Sequence, residues 1–167
     1  MKKIVSLISV IILVISFSSC TKKLSLDSTL DSIWDVQTVQ ETVSESLGQY
    51  TKHEMWTHGG FQDYTDYGIY YYSSVKLEDN QYFKRITDSD IETINGFIDN
   101  FETWVDTFKE NNPDDELVLN YNFERSIIDG SDYVYINPKD SDIEYANYDL
   151  FIFDYQTNTL YYFHNNI

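Results

Sequence analysis

Between Thr87 and Asn112, apolar residues recur at Ile91, Ile94, Ile98, Phe101, Val105 and Phe108, in steps of three and four. At helical pitch this spacing places all six on one face, with Phe97 and Trp104 widening the stripe. A helix with one greasy side must lay that side on another layer, and this leaves few architectures open. Ser89 followed three residues later by Glu92 has the pattern of a capping box. Asn111-Asn112-Pro113 ends the run, because the residue before a proline is pushed out of helical geometry. The spacing therefore predicts a long helix over about residues 88–111. Gly96 interrupts it at about 1 kcal/mol relative to alanine, which close approach of a neighbouring chain would explain.

The flanking segments supply the second layer. Tyr50–Thr57, Tyr67–Leu77 and Gln81–Ile86 precede the helix, and Tyr133–Ile136, Tyr148–Asp154 and Thr159–His164 follow it. All are rich in aromatic and β-branched residues and bounded by turn formers, which predicts strands, with a tight hairpin at Asp79-Asn80. Leu117, Leu119, Tyr121 and Phe123 alternate with Val118, Asn120, Asn122 and Glu124, the pattern of one more, half-buried strand. Leu30, Ile33, Val36, Val39, Val43 and Leu47, stopped by Gly48, predict a shorter N-terminal helix at about 29–47. The links are hairpin-like rather than crossovers. The expected fold is α+β: an antiparallel sheet of about six or seven strands, with both helices on one face.

At the N-terminus, Lys2 and Lys3 precede an apolar run from Ile4 to Phe17, and Ser18-Ser19 lead into the chain's single cysteine, Cys20. The run is shorter than the roughly 20 residues a spanning helix needs, and its order of parts is that of an export signal. Together these parts resemble the signal peptide and lipobox of a bacterial lipoprotein, with Phe17 in place of the usual leucine and Ser19 in place of glycine or alanine. The resemblance implies cleavage before Cys20 and acylation there. One chain holds a protein only marginally at roughly 0.8 kcal/mol per buried CH₂, so two or three chains would make the anchor lasting. The expected organisation is a signal peptide over residues 1–19, a lipidated cysteine and tether over 20–27, and a single domain over 28–167. That domain would sit in the cell envelope, on the extracytoplasmic side of a bacterial membrane.

The chain has 28 acidic and 11 basic residues, and loss of Lys2 and Lys3 with the signal takes the net charge from −17 to −19. A field of this sign disfavours nucleic acid and favours cations or a basic protein partner. Tyrosines crowd the expected strands, and Tyr70, Tyr72, Tyr133, Tyr135 and Tyr161 are candidates for a binding face, since tyrosine offers contact area at low entropy cost. Ordinary core packing of half-buried tyrosines is the competing explanation.

No catalytic triad, nucleotide loop or paired-cysteine site is present in the sequence, and no cofactor or metal is expected. His53 and His58 are five residues apart, which on a strand turns the rings to opposite faces, so that the pair cannot close on one zinc without a bulge; surface or turn histidines are the expected reading. Asp140, Asp142 and Glu144 have the first spacings of a calcium loop, but Tyr145 and Phe151 stand where an EF-hand needs glycine and glutamate. The expected function is a lipid-anchored binding module for a basic partner, of which an immunity or inhibitor protein is one form. The alternatives are a cell-envelope hydrolase using Glu54, His58, Asp63 and Asp66, or a surface protein that binds sugars or cations.

Overall fold

The computed structural model describes residues 39–60, 63–139 and 145–166. The expected signal peptide, Cys20, the expected tether and the first part of the expected N-terminal helix, with Asp140, Asp142 and Glu144, lie outside the described residues. Within them run helix α1 (residues 39–46), β1 (Tyr50–Gly60), β2 (Asp63–Tyr72), β3 (Lys84–Arg85), α2 (Asp88–Asn111), α3 (Glu116–Asn120), a 3₁₀ turn (Arg125–Ile127), β4 (Tyr133–Pro138), β5 (Tyr148–Asp154) and β6 (Thr159–Asn166). The strands form one antiparallel sheet in the order β1-β2-β6-β5-β4-β3. The architecture is α+β, as the sequence predicts.

Helix α2 carries the predicted stripe. Ile94, Phe97, Ile98, Phe101 and Val105 are buried against Tyr67, Ile69, Phe163, Leu150, Ile152 and Val134 of the sheet. It opens two residues earlier than Ser89. Thr87 is the N-cap and Asp90 the residue three on, whose carboxylate accepts the Thr87 backbone N–H at 3.0 Å. Asn112 closes it just ahead of Pro113. A β-carbon on Gly96 would lie 2.7 Å from the ring of Tyr145, so an aromatic side chain, not backbone, requires the glycine.

Both faces of the sheet are covered, which corrects the expectation of helices on one face. Val39 and Val43 of α1 and Leu47 just after it, with Val75, Leu77, Tyr82 and Phe83 from the segment after β2, pack on Tyr70, Tyr72, Phe151, Phe153, Leu160 and Tyr162. Central strand β5 is consequently buried at every position. Its sequence, YDLFIFD, reads as a nearly continuous apolar run because neither side meets water.

Three local expectations give way to side-chain hydrogen bonds. Leu117–Glu124 is not a strand: the Asp115 carboxylate accepts the Leu117 N–H at 2.9 Å and starts helix α3. Leu117 is then fully buried while Leu119 is 65% exposed, which a half-buried strand would not allow. Asp79-Asn80 makes a turn, but the Asn80 side chain bonds Tyr82 and Phe83 N–H groups locally, and only Lys84–Arg85 reach the sheet, pairing with β4. Strand β2 ends at Tyr72, ahead of the Ser73-Ser74 bend.

Candidate functional site

Alternation along each strand sorts the tyrosines. Tyr70, Tyr72, Tyr133 and Tyr135 face α1, whereas Tyr161 faces the α2 layer and packs edge-on against Phe123 at 5.1 Å. The five therefore do not make one face. Tyr70 and Tyr72 are 1% and 6% exposed, and the Tyr72 hydroxyl donates to the Ser44 carbonyl of α1 at 2.8 Å. Tyr133 and Tyr135 are half-buried, packed against Tyr155 and Tyr82. α1 and the segment after β2 thus cover Tyr70 and Tyr72, while Tyr133, Tyr135 and Tyr161 keep partly exposed surfaces.

One opening lies at the edge. A pocket of about 200 Å³ opens between α1 and the first hairpin, lined by Gln40, Glu41, Ser44 and Glu45 of the helix and by Tyr50, His53, Met55 and Tyr70 of the strands. Tyr50 and His53 are three apart, which on a regular strand sends them to opposite faces. A β-bulge at Thr51 cancels this: Tyr50 pairs with Tyr72 while Lys52 already pairs with Tyr71, so His53 falls opposite Tyr70. Bulges re-aim side chains in this way. The rings of Tyr50 and His53 meet edge-on at 5.1 Å, those of Tyr50 and Tyr70 at 5.3 Å, and those of His53 and Tyr70 stack at 5.6 Å.

This aromatic wall is met by an acidic rim. Glu41 and Glu45 are exposed and one helical turn apart, a like-charged pair that disfavours the helix by a few tenths of a kcal/mol. The lining holds no lysine or arginine. Lys52 lies on the other side of the strand, 3.0 Å from Glu54 and over the ring of Tyr71. Tyr70, which lines the pocket, has a buried hydroxyl with no hydrogen-bond partner among the described residues. Burial pushes its pKa up, as do Tyr50, Glu41 and Asp66, so it remains a neutral hydroxyl. Chemically the pocket suits a cation: ring faces for cation–π contact, carboxylates for charge, and an oxygen with an open lone pair.

A second polar cluster lies further along the same face. Register aligns Asp66, His164, Asp149 and Asn137 on four adjacent strands. Asp149 accepts from His164 Nδ1 at 2.8 Å, the Tyr162 hydroxyl at 3.0 Å and Asn137 Nδ2 at 2.9 Å. None of these four residues lines the pocket, and among the described residues no three His, Cys, Asp or Glu are arranged to hold a metal. We assign the row to structure. Burial raises the pKa of Asp66 above its ordinary value, with the Asp149 charge adding to it, despite the 2.6 Å bond from Thr57 Oγ1.

A raised folded pKa contributes stability that is complete below the unfolded value near 4 and is lost as pH rises through the folded one. Asp66→Asn, uncharged throughout, is therefore expected to be more stable than the parent at pH 7.5 and no more stable at pH 3.5, read from urea midpoints. A variant weaker than the parent at pH 7.5 would contradict this.

The four residues considered for hydrolysis do not converge. Glu54 bonds Lys52 and Tyr71, and His58 bonds Asp115 at 2.7 Å and stacks on Phe108. Asp63 is exposed at the start of β2, and Asp66 joins the polar row on the opposite face from His58. His53 and His58 do point to opposite faces. The pocket residues Glu41, Glu45 and Tyr50 and the row residues Asp149 and His164 escaped the sequence reading, which weighed His53 only as a metal ligand. The one available sign was the Glu41–Glu45 doublet on a helical face; nothing local marks the bulge.

Fold and pocket together define the class: an antiparallel α+β module with a small acidic and aromatic pocket at one edge of its sheet. Compared with known protein families, curated proteins and solved structures, the chain matches none.

Proposed function

We propose that the protein is an extracytoplasmic bacterial lipoprotein, anchored through acyl chains on Cys20, whose domain binds a basic protein partner in the manner of an immunity or inhibitor protein. The observation that carries the binding part is the pocket: three contacting rings, two rim carboxylates and a buried hydroxyl lacking a described partner. The net charge of −17 supports it, because a field of that size steers oppositely charged proteins and speeds their capture. The leader supports the anchor.

Protein purified from its own membranes in detergent and immobilised is expected to retain a secreted protein of basic pI at about 0.05 M salt and release it by about 1 M, where the screening length falls to about 3 Å. Glu41→Gln/Glu45→Gln should weaken retention about tenfold. Retention of neutral or acidic proteins only, or indifference to salt, would sink the binding part; Cys20→Ser protein that still partitions into detergent would sink the anchor.

A further inference from the structure

The pocket adjoins an unusual edge. Strand β1 is terminal in the sheet order, spans 11 residues, and pairs on one side only among the described residues. The opposite edge, β3, has just two residues. Long edge strands present a row of unmatched N–H and C=O groups and are usually shortened or covered, because another chain can add to them. Here Thr51, Lys52 and His53 are exposed, directly beside the pocket floor. A chain pairing with β1 would place alternate side chains on the α1 face. One of them would meet Tyr50, His53 and Tyr70.

Size and chemistry say which side chain. The pocket holds about 200 Å³, below the roughly 300–1,000 Å³ of sites for whole small molecules and near the room for six or seven waters at about 30 Å³ each. That is one long side chain. Its head would find the Tyr70 oxygen, buried and without a described partner, and the Glu45 carboxylate; its stem would lie on the rings. Only lysine and arginine combine an apolar stem with a cationic donor head.

Resting on the reading of the protein as a binder of basic partners, we infer that the partner docks as an extended segment, adding a seventh strand along β1 and inserting a lysine or arginine side chain into the Tyr50–His53–Tyr70 pocket. Main-chain bonds to β1 give the affinity and the socket gives the specificity. Any extended basic segment whose lysines alternate with β-branched residues satisfies both.

The test uses the full-length protein in detergent and two nine-residue peptides of alternating lysine and valine, identical except that one is N-methylated at every second residue. N-methylation removes donors along one edge and leaves charge unchanged. Fluorescence anisotropy at low salt is expected to show binding of the first peptide and at least tenfold weaker binding of the second. Tyr70→Phe, which keeps the ring but removes the hydroxyl, should weaken the first peptide about tenfold with an unchanged circular dichroism spectrum, and Glu45→Gln, at an exposed position, should do the same. Equal binding of both peptides overturns strand addition while leaving charge-driven capture intact. Unchanged affinity in both variants overturns the socket. A β1–β1 dimer in sedimentation that excludes the peptide makes a second copy the occupant and also overturns the inference. If the secreted basic partner is retained but neither peptide binds, this inference fails and the broader function stands; if no basic ligand binds, both fail.

Discussion

Asp149→Ala is expected to remove about 3–5 kcal/mol of stability, a large part of the roughly 5–15 kcal/mol that holds a domain of this size together. Asp149 is completely buried on central strand β5, where it accepts hydrogen bonds from His164, Tyr162 and Asn137, and Lys139 lies 3.8 Å away. Burial alone would raise its pKa, but the His164 bond and the His164 and Lys139 charges outweigh that and hold it below the ordinary carboxylate value. It is therefore ionised at neutral pH and serves as the common acceptor for donors on the two flanking strands, β6 and β4. Alanine leaves three donors facing each other in a dry interior, each deprived of an acceptor.

The comparison is made by urea unfolding followed through tryptophan fluorescence. Asp149→Asn, which keeps an acceptor but adds a donor, should fall between the two. A depressed folded pKa contributes stability that is present above the unfolded value near 4 and is lost as pH falls through the folded value. The gap between parent and Asp149→Ala should accordingly narrow as pH drops below about 4. A loss under about 1 kcal/mol at pH 7 would show that water reaches this row.

Phe101→Ala should have a comparable effect through packing alone. Phe101 is fully buried in α2, and its ring meets Phe163 at 5.2 Å, Tyr121 at 5.5 Å and Tyr67 at 6.3 Å. It thereby joins the helix to β2, β6 and the segment after α3. Removing a buried phenylalanine ring costs about 3–5 kcal/mol, from lost transfer energy and from the cavity left behind, and the contacts with neighbouring rings add to the loss. A fall in Tm of about 10 °C or more is expected. Leu119→Ala is the matched control. That side chain is 65% exposed and should change stability by less than about 0.5 kcal/mol. Equal losses at the two positions would mean that Leu117–Glu124 forms the alternating strand after all.

Helix α2 was legible because its evidence is internal: the apolar spacing lies within one segment, and Asn112-Pro113 stops it whatever surrounds it. The strands were legible for a related reason, since Tyr148–Asp154 and Thr159–His164 are too rich in aromatic and β-branched residues to prefer another backbone. The segment after Pro113 was not. Four alternating residues suit a strand and a short helix about equally, and Asp115 decided for the helix by capping it. For the tyrosines the limit was a different one. Alternation says that Tyr70 and Tyr72 share a side, but not that a helix from 28 residues earlier in the chain will lie over it.

Period and charge are properties of neighbours along the chain, so the sequence alone was enough for the α+β class, the long helix and the acidic character of the domain. The pocket and the buried row depend on which residue stands opposite which. One extra residue at Thr51 brings His53 onto the side of Tyr50, and register brings Asp66, His164 and Asp149 together from positions up to 98 residues apart. A strand shifted by a single residue turns every side chain to the other face, and only the assembled sheet decides that shift.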